Sequence, residues 1–128
     1  MHEVTANCHK QILVIDDDAD IRATLAELLE LEGYGVIQAE NGLDGLKMLE
    51  GDQLPCMILL DLMMPVMTGW EFLKEFKSEK RARLADIPLV VTSGAANLSG
   101  LDQRYNCLVL QKPVDIGHLL DLANEHCA

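Results

Sequence analysis

Polar side chains capable of chemistry follow four of the short apolar runs in this sequence, at the point where each run ends. They are Asp16, Asp17 and Asp18 after the first run, Asp61 after the third, Thr92, Ser93 and Gly94 after the fourth, and Lys112 after the fifth. If the runs are strands of an open parallel sheet, their carboxyl ends meet at one edge, which is where such sheets form their sites. The sequence therefore predicts one site that combines carboxylates, a hydroxyl group and an ammonium group.

Three neighbouring carboxylates favour phosphoryl transfer assisted by a metal ion. Asp16, Asp17 and Asp61 would repel one another, and without a cation at least one of them would have a raised pKa. Mg²⁺ prefers such oxygen ligands, together with waters and a phosphate oxygen. The ion and Lys112 would neutralise the phosphoryl oxygens, and an aspartate can itself be the nucleophile that forms an acyl phosphate. The alternative is that the aspartates only cap helices, as Asp18 or Asp20 is expected to do.

Five short apolar runs alternate with amphipathic stretches along the chain. The runs are Ile12–Ile15, Val36–Ile37, Cys56–Leu60, Leu89–Val91 and Cys107–Leu110. Each is too short for a buried helix and is rich in branched residues, which is typical of strands covered on both faces. Strands separated by helices imply right-handed crossovers and a parallel sheet of the α/β class. The crossover at residues 95–106 has little helical drive, so its helix, the fourth, is predicted to be short or irregular.

The length of the chain and its acidic balance restrict the function further. A single domain usually has about 100–200 residues, so we expect a flexible N-terminal tail at residues 1–9 and one domain at residues 10–128. A net charge of −11 makes nucleic acid and anionic membranes poor partners. No apolar run approaches the roughly 20 residues of a membrane helix, and the first ten residues do not resemble a signal peptide. A cytoplasmic location is therefore predicted.

The four cysteines are predicted to be reduced. Cys8, Cys56, Cys107 and Cys127 are scattered along the sequence, and their spacing resembles no zinc site. Cys56 and Cys107 stand in apolar runs, where a free thiol behaves as a small hydrophobic side chain. We therefore expect four structural thiols.

Four short motifs surround the polar residues at the predicted strand ends. They read Ile-Leu-Val-Ile-Asp-Asp-Asp, Leu-Leu-Asp-Leu-Met-Met-Pro-Val-Met-Thr-Gly, Val-Val-Thr-Ser-Gly and Gln-Lys-Pro. Together they resemble the response-regulator receiver domain of two-component signalling, in a form similar to the chemotaxis regulators, over residues 10–127. The resemblance implies a flavodoxin-like, doubly wound sheet of five parallel strands in the order 2-1-3-4-5, with helices on both faces.

The resemblance implies a phosphoacceptor with a Mg²⁺ site beside it. Asp61 would accept the phosphoryl group and would also be a ligand of the ion. Asp17 would bind Mg²⁺ directly, and Asp16 would bind it mainly through water. The main-chain carbonyl of Met63 would be a further ligand.

The resemblance also implies the groups that bind the phosphoryl oxygens. Lys112 would pair first with the phosphoacceptor and then with the phosphoryl group, and its bond to Pro113 is expected to be cis. Ser93 would be the switch hydroxyl, with Thr92 as the competing residue one position earlier. Gly94 would leave the phosphoryl group access and would donate its N–H.

One position departs from the pattern of the family, and two others bear on the lifetime of the acyl phosphate. Val109 stands where the family usually has Tyr or Phe, so an aromatic side chain that moves inward behind the switch hydroxyl is not expected. Met63 and Ala95 occupy two positions that tune hydrolysis of the acyl phosphate in the family. Neither side chain can hold an attacking water by hydrogen bonding, so slow self-dephosphorylation is predicted.

These features predict a receiver domain that takes a phosphoryl group from a phosphohistidine and then changes its binding to a downstream protein. The donor would be a sensor histidine kinase or a histidine phosphotransfer protein, and the domain would catalyse only its own phosphorylation and dephosphorylation. One alternative is a receiver-like module that binds partners independently of phosphorylation, which the missing aromatic residue leaves open. Another is a Mg²⁺-dependent phosphohydrolase of the haloacid type, because Asp16 and Asp18 have its Asp-x-Asp spacing. Against this second alternative, no Thr follows at the customary distance and the chain has no room for a cap domain.

Overall fold

Five parallel strands form one sheet at the centre of the molecule, in the order β2-β1-β3-β4-β5. The computed structural model describes residues 11–51, 53–62, 67–94 and 107–127. The strands are β1 (Gln11–Ile15), β2 (Gly35–Ala39), β3 (Met57–Asp61), β4 (Leu89–Ser93) and β5 (Leu108–Gln111). The predicted fold class and strand order are confirmed, and each predicted run lies within a strand or overlaps most of it.

Four α-helices and one 3₁₀ helix lie between and after the strands in the described part of the chain. They are α1 (Ala19–Leu31), α2 (Gly42–Met48), α3 (Gly69–Phe76), the 3₁₀ helix (Glu79–Leu84) and α4 (Ile116–Cys127). The prediction of a short or irregular helix at residues 95–106 falls outside the described residues. The predicted tail at residues 1–9 also falls outside them.

Side-chain hydrogen bonds fix the first turns of the helices that follow β1 and β3. Asp18 caps α1, because its carboxylate accepts the N–H groups of Asp20 and Ile21. Thr68 caps α3 and forms a reciprocal capping box with Glu71. Each cap therefore fixes the residue at which its helix starts, Ala19 after β1 and Gly69 after β3.

The two faces of the sheet bury separate apolar clusters, as expected for a parallel sheet covered on both sides. The cluster on one face contains residues of β1, β3 and β4 packed against α2 and α3: Leu13, Ile15, Ile58, Leu60, Leu89, Val91, Leu46, Phe72, Leu73 and Phe76. The cluster on the other face contains the alternate strand residues packed against α1 and α4: Ile12, Val14, Leu59, Val90, Leu25, Leu29, Leu119, Leu122 and Ala123. Because side chains alternate between the two faces along each strand, the position of a polar residue at a strand end determines the face on which its side chain lies.

A disulfide between Cys56 and Cys127 contradicts the prediction of four reduced cysteines. Cys56 stands just before β3, and Cys127 is the last residue of α4, 71 residues later in the sequence. The helix runs back across the sheet after β5, so its end reaches the amino ends of the strands, where the two Cα atoms are 5.4 Å apart. Sequence spacing alone could not show this proximity. Cys107 is a buried cysteine outside this disulfide, and Cys8 lies outside the described residues.

Replacing Cys127 should destabilise the oxidised protein. A cross-link that closes a loop of 71 residues restricts the unfolded chain. In the chain-entropy model this effect is worth about 4 kcal/mol. We expect Cys127→Ser to lower the free energy of unfolding in urea by up to that amount under oxidising conditions. An excess of reductant should lower the stability of the wild type to that of the variant and leave the variant unchanged; equal stability of both proteins without reductant would contradict the assignment.

Candidate functional site

Three carboxylates meet at the carboxyl edge of the sheet. Asp61 ends β3, and Asp16 and Asp17 follow β1, whose last residue pairs with the residue before Asp61. One oxygen from each of the three carboxylates lies within 4.8 Å of the others. Asp16 and Asp61 are each only 3% exposed, whereas Asp17 is exposed. The structure therefore brings together the three acids that the sequence analysis had placed at one site.

Lys112 supplies the positive charge that faces these acids. Its Nζ lies 3.1 Å from Oδ1 of Asp61 and 3.8 Å from Oδ2 of Asp16. Its main-chain N–H donates a 2.9 Å hydrogen bond to the carbonyl of Ser93, which fixes the end of β5 against the end of β4. The Lys112–Pro113 peptide bond is cis, as expected. One ammonium group thus opposes three carboxylates, and the cluster keeps an excess of negative charge.

Burial and the neighbouring negative charges both act on the pKa of Asp16. Burial raises the pKa of its carboxyl group above the ordinary value, and the nearby charges of Asp61 and Asp17 raise it further. The main-chain N–H of Asp18, 2.9 Å from Oδ1, and the ammonium of Lys112 lower the pKa and only partly oppose the rise. This direction agrees with the expectation that one of the acids has a raised pKa, with burial as its first cause. The ionised form of Asp16 is therefore unfavourable without a cation. The clustered carboxylate oxygens form a donor set that suits a hard divalent cation.

Arg22, which the sequence analysis did not identify, holds the backbone of this acidic loop. Its guanidinium donates a 2.7 Å hydrogen bond to the main-chain carbonyl of Asp16 and a 3.2 Å bond to the side chain of Gln38 on β2. The main-chain N–H of Asp16 donates to the carbonyl of Ala39, at 3.1 Å. The peptide groups on both sides of Asp16 are therefore fixed. An arginine in the first turns of the helix after an acidic strand end is the signal that could have indicated this contact.

The two candidate hydroxyl residues occupy different positions at the end of β4. Thr92 lies opposite Asp61 in the strand register, and its hydroxyl donates a long bond, 3.5 Å, to the carbonyl of Leu60 within the sheet. Ser93 is the last residue of the strand, is fully buried, and points to the other face. Gly94 follows it and is exposed, with open space where a Cβ atom would stand. The predicted phosphate-binding residues therefore surround the end of β4, next to the strand that carries Asp61.

Gly69 allows α3 to start in direct contact with the end of β3. A Cβ atom at this position would lie 2.4 Å from Cα of Leu62 and 2.8 Å from the carbonyl oxygen of Asp61. The N–H of Gly69 donates a 2.9 Å hydrogen bond to the carbonyl of Leu62. Only glycine permits this approach, which fixes the backbone immediately after Asp61. Met63, whose carbonyl was predicted to be a metal ligand, lies outside the described residues.

Comparison with known proteins decides the family. The family model for the response regulator receiver domain matches residues 12–124. The chain belongs to this family. The receiver domain is thus one component of two-component signalling, in which response regulators interact with sensor kinases and downstream targets. Receiver domains are typically signalling domains and not enzymes. Among the described residues, every helix is too short or too polar to span a membrane.

Curated relatives and solved structures agree with this family. The receiver domain is 34% identical to the response regulator MprA of Mycobacterium avium over 114 residues, which cover 86% of this chain and 47% of that protein. The curated relatives are longer, and the chain spans between 10% and 47% of their length. A response regulator receiver protein from Pseudomonas putida superposes with a TM-score of 0.80 at 25% identity, over 91% of this chain and 96% of that one. TrrA from Thermotoga maritima, solved in complex with Mg²⁺-BeF, gives 0.76 at 27% identity, over 91% and 97%.

Replacing Asp16 with asparagine should stabilise the receiver domain at neutral pH when divalent cations are absent. Because the folded state raises the pKa of Asp16, it binds this proton more tightly than the unfolded chain does. Stability is therefore lost as the pH rises from the ordinary pKa of an aspartate through the raised one. We expect Asp16→Asn to remove this loss and to raise the free energy of unfolding at pH 7 by about 1 kcal/mol, the usual size of a point-mutation effect.

The controls for this prediction are the pH and a distant acid. In acid below the ordinary pKa of aspartate, Asp16 is protonated in both states, and the stabilisation by Asp16→Asn should vanish. Asp121→Asn replaces an exposed acid on α4 and should leave the unfolding curve unchanged at both pH values. An Asp16→Asn variant that is less stable than the wild type at pH 7 would contradict the charge balance described for the site.

Proposed function

We propose that the receiver domain accepts a phosphoryl group on Asp61, with Mg²⁺, from a phosphohistidine on a sensor histidine kinase or a histidine phosphotransfer protein. The observation that carries this proposal is the 3.1 Å contact of Lys112 with a buried strand-end aspartate that has two further carboxylates beside it. A helix cap or a simple ion pair would not need three clustered acids. We place the domain in the cytoplasm, and we expect partner binding by protein contact and not by binding of nucleic acid or a membrane.

The side chains divide the work of the transfer. A carboxylate oxygen of Asp61 attacks phosphorus, the bond to the histidine nitrogen breaks, and an acyl phosphate forms. The ammonium of Lys112 already lies at the carboxylate and is close enough to pair with the incoming phosphoryl oxygens. The exposed backbone at Gly94 leaves room for the phosphoryl group and offers it an N–H. Apart from this self-modification and its reversal, no enzymatic activity is proposed.

The residues suited to hold Mg²⁺ are the three clustered aspartates. Asp17, which is exposed, would bind the ion directly, Asp61 would contribute an oxygen, and Asp16 would act mainly through water. The main-chain carbonyl of Met63 completes the proposed ligand set. When bound, the ion supplies positive charge that stabilises the transferring phosphoryl oxygens. The complex of TrrA with Mg²⁺-BeF, a relative 27% identical to this chain, supports the same chemistry here.

Phosphorylation would bias the position of the switch hydroxyl, for which we favour Ser93 over Thr92. The hydroxyl of Thr92 is engaged with a main-chain carbonyl inside the sheet, whereas Ser93 ends its strand at the edge where the phosphoryl group would arrive. Its carbonyl is tied to the N–H of Lys112, so a shift of one would be felt by the other. Val109 packs against the core cluster on the α2–α3 face of the sheet, so the switch would act without an aromatic side chain.

Two other candidate functions remain from the sequence analysis. Val109 favours a module that binds partners regardless of phosphorylation, because it stands where the family usually has Tyr or Phe. The haloacid-type phosphohydrolase is disfavoured by the structure, since the carboxylate of Asp18 is occupied in capping α1 and is not among the three clustered carboxylates. The phosphorylation test below separates the first from the proposed function.

Asp61→Asn should abolish phosphorylation. We expect acetyl phosphate with Mg²⁺ to add one phosphoryl group to the wild type, measured by intact mass and mapped to Asp61 after peptide digestion. The variant should gain none, because an amide oxygen is not a nucleophile that forms an acyl phosphate. Asp121→Asn, which changes an exposed acid far from the cluster, should be labelled like the wild type. Labelling of Asp61→Asn, or a wild type that is never labelled, would refute the proposal, and the second result would favour the phosphorylation-independent module.

The acyl phosphate should be long-lived for this family. Met63 and Ala95 lie outside the described residues, and their side chains offer no hydrogen bond to an attacking water. We expect Met63→Asn to speed the loss of label, since one net hydrogen bond of about 1 kcal/mol corresponds to roughly fivefold in rate. The measurement is the decay of phosphorylated protein after removal of the donor. Decay of the wild type as fast as that of Met63→Asn would show the prediction to be wrong.

A further inference from the structure

The disulfide between Cys56 and Cys127 lies at the end of the sheet opposite the acidic cluster. Cys56 directly precedes β3 and Asp61 ends it, so five residues, roughly 17 Å of strand, separate the two positions. Helix α4 spans the same interval in the other direction. It starts four residues after Lys112, and it ends at Cys127, which is bonded to Cys56. Strand β3 and helix α4 thus connect the proposed phosphorylation site with the disulfide between Cys56 and Cys127.

We propose that Cys56 and Cys127 are a reversible redox site that exchanges with low-molecular-weight thiols and disulfides and, when oxidised, fixes the end of α4 to the sheet. The Cα separation of 5.4 Å lies within the range that a disulfide spans without movement of the backbone. The N–H of Cys56 donates a 2.8 Å hydrogen bond to the carbonyl of Gln11, which holds this residue in place beside β1. The bond can therefore open and close with little rearrangement around Cys56.

The end of α4 has other contacts that keep the reduced domain folded. The hydroxyl of Tyr34 donates a hydrogen bond to the side chain of Asn124, one turn before Cys127. Leu122 and Ala123 are buried in the cluster between α4 and the sheet. Opening the disulfide should therefore loosen only the last turn of α4, while the rest of the helix stays packed. The disulfide between Cys56 and Cys127 therefore controls the packing of the last turn of α4 alone.

The exposure of the two cysteines sets the direction of the exchange. Cys127 is only 4% exposed, whereas Cys56 is partly exposed, so an external reagent reaches Cys56 first. On closing, the thiolate of Cys56 attacks a low-molecular-weight disulfide, forming a mixed disulfide and releasing one thiolate. The thiolate of Cys127 then attacks the sulfur of Cys56 and releases the second. Both cysteine protons pass to solvent, and the two electrons reduce the external disulfide to two thiols. Opening is the reverse, with a thiol as the reductant.

The location proposed above argues for a reversible bond and not a permanent one. Disulfides in the cytoplasm are rare, and those that occur are usually transient or redox-sensing. This step rests on the proposed function. The thiol–disulfide exchange of Cys56 and Cys127 does not rest on the proposed function, because neither cysteine belongs to the acidic cluster.

The test is the redox titration of the purified full chain in mixtures of reduced and oxidised glutathione. Cys8→Ser serves as the background, so that three cysteines remain. Acid quenching, unfolding and alkylation should give three alkyl groups in reducing mixtures and one, on Cys107, in oxidising mixtures, with a reversible transition between them. Amide hydrogen exchange in residues 124–127 should be about tenfold faster in the reduced protein, with the first turn of α4 unchanged.

Three results would overturn the proposal. One alkyl group in every mixture would mean a permanent cross-link, three in every mixture would mean that the bond does not form, and a bond mapped to another pair would move the site. As controls, Cys127→Ser should lose the response of hydrogen exchange to glutathione, and Asp61→Asn should keep the full titration. The second control separates this proposal from the proposed function, because a domain that is never phosphorylated would still titrate in the same way.

Discussion

The ammonium of Lys112 against a group of partly buried carboxylates is the interaction on which the site depends. The sheet places this single positive charge 3.1 Å from Asp61 and 3.8 Å from Asp16, and it leaves the cluster with more negative charge than it can neutralise. Burial is the first cause of the raised pKa of Asp16, and the negative charges of Asp61 and Asp17 add to it. In the proposed function, a divalent cation bound by the three carboxylates offsets this excess of negative charge. The charge that destabilises the domain without the ion would then also favour binding of the ion.

The backbone around the cluster is built to keep these charges together. Ile15 of β1 pairs with Leu60 of β3, so the residues that follow them, Asp16 and Asp61, lie side by side. The backbone after β1 is held by the hydrogen bond of Arg22 to the carbonyl of Asp16. Leu62, the residue after β3, is held by the contact with Gly69. These contacts fix the residues that carry the clustered charges against their mutual repulsion.

Much of this arrangement could be predicted from the sequence, for a physical reason. Buried parallel strands appear as short branched apolar runs, and the residue after each run must lie at one edge of the sheet, so Asp16, Asp61 and Lys112 could be placed together. The disulfide could not be predicted, because its partners are 71 residues apart and meet only when α4 runs back across the sheet. Ser93 was preferred to Thr92 from the sequence, and this preference stays a proposal that the bond of Thr92 to the carbonyl of Leu60 supports. Arg22 was missed because it contacts a main-chain carbonyl, for which the only sequence signal is its position early in the helix after an acidic strand end.

The most direct test of the charge balance is a ¹³C NMR titration of the aspartate carboxyl groups with and without Mg²⁺. Without the ion, the carboxyl of Asp16 should titrate above the ordinary range of an aspartate. Addition of Mg²⁺ at neutral pH should shift the resonances of Asp16, Asp17 and Asp61 together, lower the titration midpoint of Asp16, and leave the helix-capping Asp18 unaffected. An Asp16 that titrates normally, or Mg²⁺-induced shifts that do not include these three carboxyl groups, would contradict the account.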